Sequence, residues 1–260
     1  MTVQSLIAAV GSGSLVGFTL GLVGGGGSIL ATPLLLYAVG VVSPHVAIGT
    51  GAVAVSVNAY ANLVAHARKG HVWWRCAIVF TVVGTLGALS GSSLGMLVDG
   101  QRLLFLFGLL MLVVGVLMLR SRPVATGAAS PVDMRMCLIT GAAAMVAGAA
   151  SGFFGIGGGF LIVPALILAT GMPTINAVGS SLLAVGTFGI ATALNYARSG
   201  LVDWPLAAEF VAGGIVGGML GMLLATKLSG GRNALNRVFG ALVLIVAAYV
   251  IYRNWPAFMV

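Results

Sequence analysis

From Met136 to Ala177 the chain carries no charged residue, and the run from Leu103 to Leu119 is uncharged between Arg102 and Arg120. A helix as long as the latter covers roughly 26 Å at 1.5 Å per residue, close to the hydrocarbon thickness of a bilayer. Only 6% of all residues are charged, against about 25% in a soluble domain, and the mean hydropathy is +1.15. No water-exposed surface can be assembled from such a chain. The fold class expected is an all-α polytopic membrane protein, because an open strand in lipid leaves its backbone polar groups unpaired.

The net charge of +8 comes from 12 Lys+Arg against 4 Asp+Glu. These cations sit in short loops between apolar runs, which is the positive-inside pattern of membrane proteins and not a nucleic-acid footprint. Cys76 and Cys137 stand at the edges of separate apolar segments. Neither they nor any other residues form a metal or redox spacing, so neither metal nor cofactor is expected. The first ~24 residues lack the basic n-region of a secretory signal and read as a membrane segment.

An internal repeat organises the chain. Gly17, Gly21, Gly24, Gly26, Gly27, Pro33, Leu35 and Gly40 recur 131 positions later as Gly148, Gly152, Gly155, Gly157, Gly158, Pro164, Leu166 and Gly171. After a one-residue slip, Ala47, Gly49, Ala54, Arg68, Gly70 and Trp74 recur as Ala177, Gly179, Ala184, Arg198, Gly200 and Trp204. The expected division is a first transmembrane repeat over 1–120, a cytoplasmic linker over 121–135 and a second repeat over 136–260. Each half holds five apolar segments, near 5–23, 29–40, 46–66, 76–98 and 103–119, then 136–154, 160–171, 177–197, 205–226 and 235–252. The second of each set is too short for a full span.

Loop charge orients the halves. The linker carries Arg120, Arg122 and Arg135 against Asp133, and the loop with Arg68, Lys69 and Arg75 is also basic. In the second half the equivalent loop, with Arg198 and Asp203, is neutral, while the later one carries Lys227, Arg232 and Arg237. Equivalent loops therefore face opposite sides, which predicts two inverted-topology repeats with outward termini. Each repeat would be a glycine-tipped helical hairpin with a short or broken second helix, followed by three transmembrane helices.

The hairpin tips are Gly24, Gly25, Gly26, Gly27 and Ser28 in one half and Gly155, Ile156, Gly157, Gly158 and Gly159 in the other. Consecutive glycines form poor helices, yet they admit tight turns and close approach to backbone N–H donors. A short helix starting after each cluster would aim its N-terminal dipole there, favouring an anion by about 0.3–1 kcal/mol, or up to ~2 kcal/mol when partly buried. Two such termini entering from opposite sides are expected to share one small anion. Neither cluster is followed by the Lys-Ser/Thr of a phosphate loop. Gly13, Gly17 and Gly21, like Gly87, Gly91 and Gly95, have instead the four-residue spacing of close helix packing.

Hydroxyls and amides in the third segments supplement the tips: Thr50, Asn58 and Asn62 in the first half, Ser180, Ser181 and Asn195 in the second. No Lys or Arg lies in mid-segment, so backbone dipoles and hydroxyls would do most of the anion binding. The titratable side chains within or beside the segments include Glu209, one turn into the run from Pro205, and His45 and His66. Trp73, Trp74, Trp204 and Trp255 read as interfacial anchors. With four scattered acids and three isolated histidines, an intramembrane enzyme is excluded. A carrier is favoured, and a passive anion channel is the alternative.

The tip followed by a proline-containing short segment, then Ala47, Ile48, Gly49 and Thr50 with their partners Ala177, Val178, Gly179 and Ser180, resembles the sulfite exporter TauE/SafE family from about Leu6 to Tyr252. The resemblance implies a secondary transporter in the bacterial cell inner membrane. It also implies sulfite, sulfonates, thiosulfate or related anions as substrate, with coupling to protons, for which Glu209, His45 and His66 are the candidates.

Overall fold

A computed structural model describes residues 3–120, 134–155, 159–227 and 232–255, and the described residues are helical throughout, with short turns. In chain order the helices are α1 (Val3–Val23), a 3-10 segment (Gly24–Leu30), α2 (Ala31–Leu34), a π segment (Leu35–Val39), α3 (Pro44–Arg68), α4 (Trp74–Leu97) and α5 (Gly100–Arg120). The second half follows with α6 (Met134–Phe154), α7 (Gly159–Thr170), α8 (Thr174–Arg198), α9 (Trp204–Lys227) and α10 (Arg232–Asn254). Six of the described helical stretches are long and apolar enough to cross a membrane: Gln4–Val39, Pro44–Arg68, Trp74–Leu97, Gly100–Leu117, Thr174–Arg198 and Trp204–Ala225. The linker expected over 121–135 lies outside the described residues as far as residue 133.

In a bilayer the lipid tails are as apolar as any side chain, so helices associate through close packing and small residues. Two helix pairs here are built that way. Along α1, Gly13, Gly17 and Gly21 meet Phe210, Gly214 and Gly218 of α9, and α9 returns Gly213, Gly217 and Gly221 to Val10, Ser14 and Phe18. At each position a Cβ would overlap backbone of the facing helix. The contact numbers rise together, so α1 and α9 run parallel. Gly84, Gly87, Gly91 and Gly95 of α4 likewise meet the stretch from Ala144 to Phe153 of α6, again in parallel.

The central pair runs the other way. Gly49 of α3 touches Tyr196 and Leu201, Ser56 touches Gly189, and the Tyr60 hydroxyl lies 2.8 Å from that of Thr187. The start of α3 therefore meets the end of α8. Helices α5 and α10 are also antiparallel, with Gly108 against Ile251, Gly115 against Leu244, and Phe105 5.9 Å from Trp255.

These directions sort the charges. The ends marked by Arg68, Arg75, Arg120, Lys227 and Arg232 fall together at one end of the bundle, here the basic end. At the opposite end lie Asp99 with Arg102, Arg198 with Asp203, and Arg253. Asp99 accepts from the backbone N–H groups of Gln101 and Arg102, and Asp203 accepts from that of Leu206, so both carboxylates cap helices. Trp74, Trp204 and Trp255 are exposed at helix ends, whereas Trp73 packs against the core.

All six described glycines with positive φ come in repeat-related pairs: Gly24 with Gly155, Gly40 with Gly171, and Gly70 with Gly200. The first pair sits where α1 and α6 turn into the hairpins, at φ +75° and +66°, which only glycine adopts without strain.

Gly17→Val should lose about 1–3 kcal/mol of stability or more, through overpacking against Gly214. Gly11→Val, where nothing lies within 4 Å, should stay within about 0.5 kcal/mol of wild type. Thermal unfolding of the detergent-solubilised protein measures both.

Candidate functional site

The first glycine cluster is itself helical. Gly24 to Leu30 form a fully buried 3-10 segment that leaves α1 through Gly24, so no separate helix N-terminus follows the cluster as the sequence suggests. The tight winding is possible because Gly27 lies directly on the backbone of Thr19 and Leu20, where a Cβ would collide. The Gly25 N–H points at Ser181 Oγ of the other half at 3.5 Å. Ser28 donates to the Gly25 carbonyl at 2.8 Å, and Ser181 donates to the Val178 carbonyl at 2.8 Å. The tip thus joins buried backbone donors to a hydroxyl near the start of α8.

The second tip repeats the placement. Gly24 abuts Val178 of α8, and Gly155 abuts Ile48 of α3, the repeat partner of Val178. Gly157 and Gly158 lie outside the described residues, and α7 begins at Gly159. The tips do not share one point, contrary to the expectation from sequence. Val178 and Ile48 stand at opposite ends of the antiparallel α3–α8 pair, and 18 residues of α8 separate Val178 from Tyr196, which lies beside Gly49 at the Ile48 end. That spacing is about 27 Å at 1.5 Å per residue. The 3-10 segment and α7 do pack against one another.

Thr50 and Ser180, repeat partners at the starts of α3 and α8, are each fully buried. Thr50 Oγ1 accepts from the Asp203 N–H at 2.9 Å, and Ser180 Oγ accepts from the Trp73 N–H at 2.9 Å. Beside them Gly49 and Gly179 lie against the carbonyls of Leu201 and His71. Each end of the bundle is therefore closed by the same clamp, in which the first turn of one central helix grips the turn leaving the other. Thr50→Val and Ser180→Ala should each cost about 1–3 kcal/mol, because they leave a part-buried N–H unpaired. Thr50→Ser should retain most of that, as read by thermal unfolding.

Asn58, Asn62 and His66 follow one another at four-residue spacing on α3, with exposures of 0%, 3% and 0%. Asn58 packs on Gly214, and Asn62 on Gly218 and Gly21. Asn62 donates to the Asn58 carbonyl at 2.9 Å, and His66 Nε2 lies 3.5 Å from the Gly21 carbonyl. Neither Oδ1 nor Nδ2 of Asn58 has a hydrogen-bond partner among the described residues. Leaving such groups unpaired costs about 1–3 kcal/mol apiece. The repeat partners of these three residues are Phe188, Thr192 and Tyr196, and Phe188 stacks on Phe80 while filling the space over Gly84.

The remaining candidates are dispersed. Asn195 donates to Ser92 and Ser93 of α4, both at 3.0 Å. His45 lies near Tyr196, with ring centroids 6.2 Å apart, at the opposite end. Glu209 is half-buried on α9, with Oε2 unpartnered among the described residues. Sequence reading passed over His71, whose ring lies 5.6 Å from that of His66. The signal was available: a turn through Gly70 returns position 71 onto position 66, and its N–H donates to the His66 carbonyl. No group of three potential metal ligands occurs among the described residues.

The profile of the sulfite exporter TauE/SafE family matches residues 9–250. A protein of Xylella fastidiosa named "Probable membrane transporter protein" is 69% identical over 258 residues, covering 99% of both chains. "Probable membrane transporter protein YunE" of Bacillus subtilis is 26% identical over 96% of this chain and 99% of its own. A relative from Methanocaldococcus jannaschii, "Probable membrane transporter protein MJ0441", is 24% identical over 83% of this chain and 86% of its own. No solved structure matches the chain significantly.

Proposed function

The chain belongs to the sulfite exporter TauE/SafE family, and from that premise we propose that it carries small sulfur-containing anions across the membrane by alternating access, coupled to protons. It is a multi-pass membrane transporter and not an enzyme. The halves form inverted repeats over 1–120 and 136–260, with the basic end in the cytoplasm, as the positive-inside bias requires. The observation that carries the reading is the duplicated tip: a buried glycine turn set against the first turns of the opposite central helix, once at each end.

The donors at the tips support that substrate class. Backbone N–H groups of Gly25 to Gly27 and the Ser28 and Ser181 hydroxyls can coordinate anionic oxygens, and no described cation lies at the tip to hold them permanently. Neutral donors of this kind hold an anion less firmly than a buried Lys or Arg, which suits capture and release. Sulfite and sulfonates present three oxygens to such a cradle, and the second cradle, at Gly155 and Gly159, receives the anion at the other end. Opening alternates between the two clamps, since Thr50 and Ser180 hold different ends of the bundle.

Saturable flux of sulfite or sulfoacetate into proteoliposomes, with none for uncharged solutes of similar size, is the expected result. Saturable flux of uncharged solutes alone would sink the anion reading, and unsaturable anion conductance would make the protein a channel. Ser181→Ala should raise KM about tenfold, the equivalent of one charged hydrogen bond of ~1.5 kcal/mol. In a cysteine-free background, Gly70→Cys and Gly200→Cys should react with an impermeant thiol reagent from opposite sides of the membrane. Same-sided labelling contradicts the inversion.

A further inference from the structure

We propose that Asn58, Asn62 and His66, continued by His71, form the path by which the coupling proton moves between the basic end and the middle of the membrane. The inference rests on the proton-coupled transport reading and adds the residues and the side. It starts from the line these groups make. On α3 they are spaced by one turn each, buried, and pressed against the glycine tracks of α1 and α9 at Gly21, Gly214 and Gly218. His66 and His71 stand at the basic end, and Asn58 stands two turns deeper.

Asn58 brings both a donor and an acceptor into the membrane interior with no hydrogen-bond partner among the described residues. Polar groups in that setting mark ion and proton routes, because the cost of burying them needs a functional return. The chemistry is a plain relay. The His66 imidazole takes a proton on one ring nitrogen from the His71 side and releases one toward Asn62. Amide oxygens of Asn62 and Asn58 accept hydrogen bonds from the hydrated proton as it passes, and only N–H and O–H bonds form and break.

The repeat itself argues for a one-sided path. At the equivalent place in the second half, Phe188 replaces Asn58 and closes the line with a stacked phenyl pair. Thr192 and Tyr196 follow where Asn62 and His66 stand in the first half, and neither titrates near neutral pH. Around His66, α1 and the 3-10 segment contain no titratable side chain. Its own helix adds Arg68, Tyr60 and His45; the following turn adds Lys69 and His71; α4 adds Arg75 and Cys76. From α8 come Tyr196 and Arg198, both at the far end, and α9 contributes Glu209 near its start and Lys227 at its last residue.

The test separates coupling from transport in proteoliposomes loaded with the anion. Anion exchange is measured without a pH gradient, and accumulation is measured with one imposed. His66→Gln should lower gradient-driven accumulation about tenfold while leaving exchange within about twofold, a split that a merely structural defect would not produce, and Asn58→Leu should lower accumulation by a similar factor. Asn58→Ser, which keeps a donor and an acceptor, should restore most of the accumulation. Wild-type accumulation in both His66→Gln and Asn58→Leu overturns the path, as does loss of coupling in Glu209→Gln alone. Absence of anion exchange in the wild type overturns instead the transport reading beneath it.

Discussion

Backbone-to-backbone contact between glycine tracks is the interaction on which this architecture depends. Within a bilayer no hydrophobic effect drives one helix onto another, so cohesion comes from dispersion at short range and from what little polar bonding is possible. The α1–α9 and α4–α6 pairs obtain that range by removing Cβ atoms where the two backbones meet. Each pair joins a helix of one half to a helix of the other. The halves are therefore interleaved, and neither has a packed interior without its partner.

That interleaving frees the α3–α8 pair for a different task. Tightly held flanks let the central helices carry buried polar groups, including Thr50, Ser180, Asn58 and His66, without losing the fold. The clamps at the two ends use the same bond, from a hydroxyl at the start of one central helix to an N–H just beyond the other. Their near identity suits a carrier that must open either end at similar cost. Symmetry is broken along this line, where Phe188 for Asn58 and Tyr196 for His66 leave the first half the more polar of the two.

Much of the fold was legible in the chain. Repeated glycines at offsets of 131 and 130, and charge gathered near segment ends, announced ten segments, the short second ones among them, and the grouping of the basic ends. These features are readable because they are local: hydropathy, spacing and charge act through the solvent a segment meets. The turns at Gly24 and Gly155 were legible the same way, since glycine clusters between apolar segments favour a sharp turn. Less visible was that Gly24 to Leu30 wind into a 3-10 segment, because glycine permits many conformations and only Thr19 and Leu20 beneath Gly27 select one.

What sequence alone determined is thus the membrane environment, the duplication, and the identity of the turning glycines, each set by a property that one segment carries by itself. Tertiary structure decided which segments touch. It put the two tips at opposite ends of the α3–α8 pair and not at a shared point, because antiparallel central helices separate their first turns by most of their length. It also turned Asn58 onto Gly214 and His71 back onto His66. Those placements depend on the rotation of one helix against another. Rotation is settled by which face lacks Cβ atoms on both partners at once, a condition that no single stretch of sequence contains.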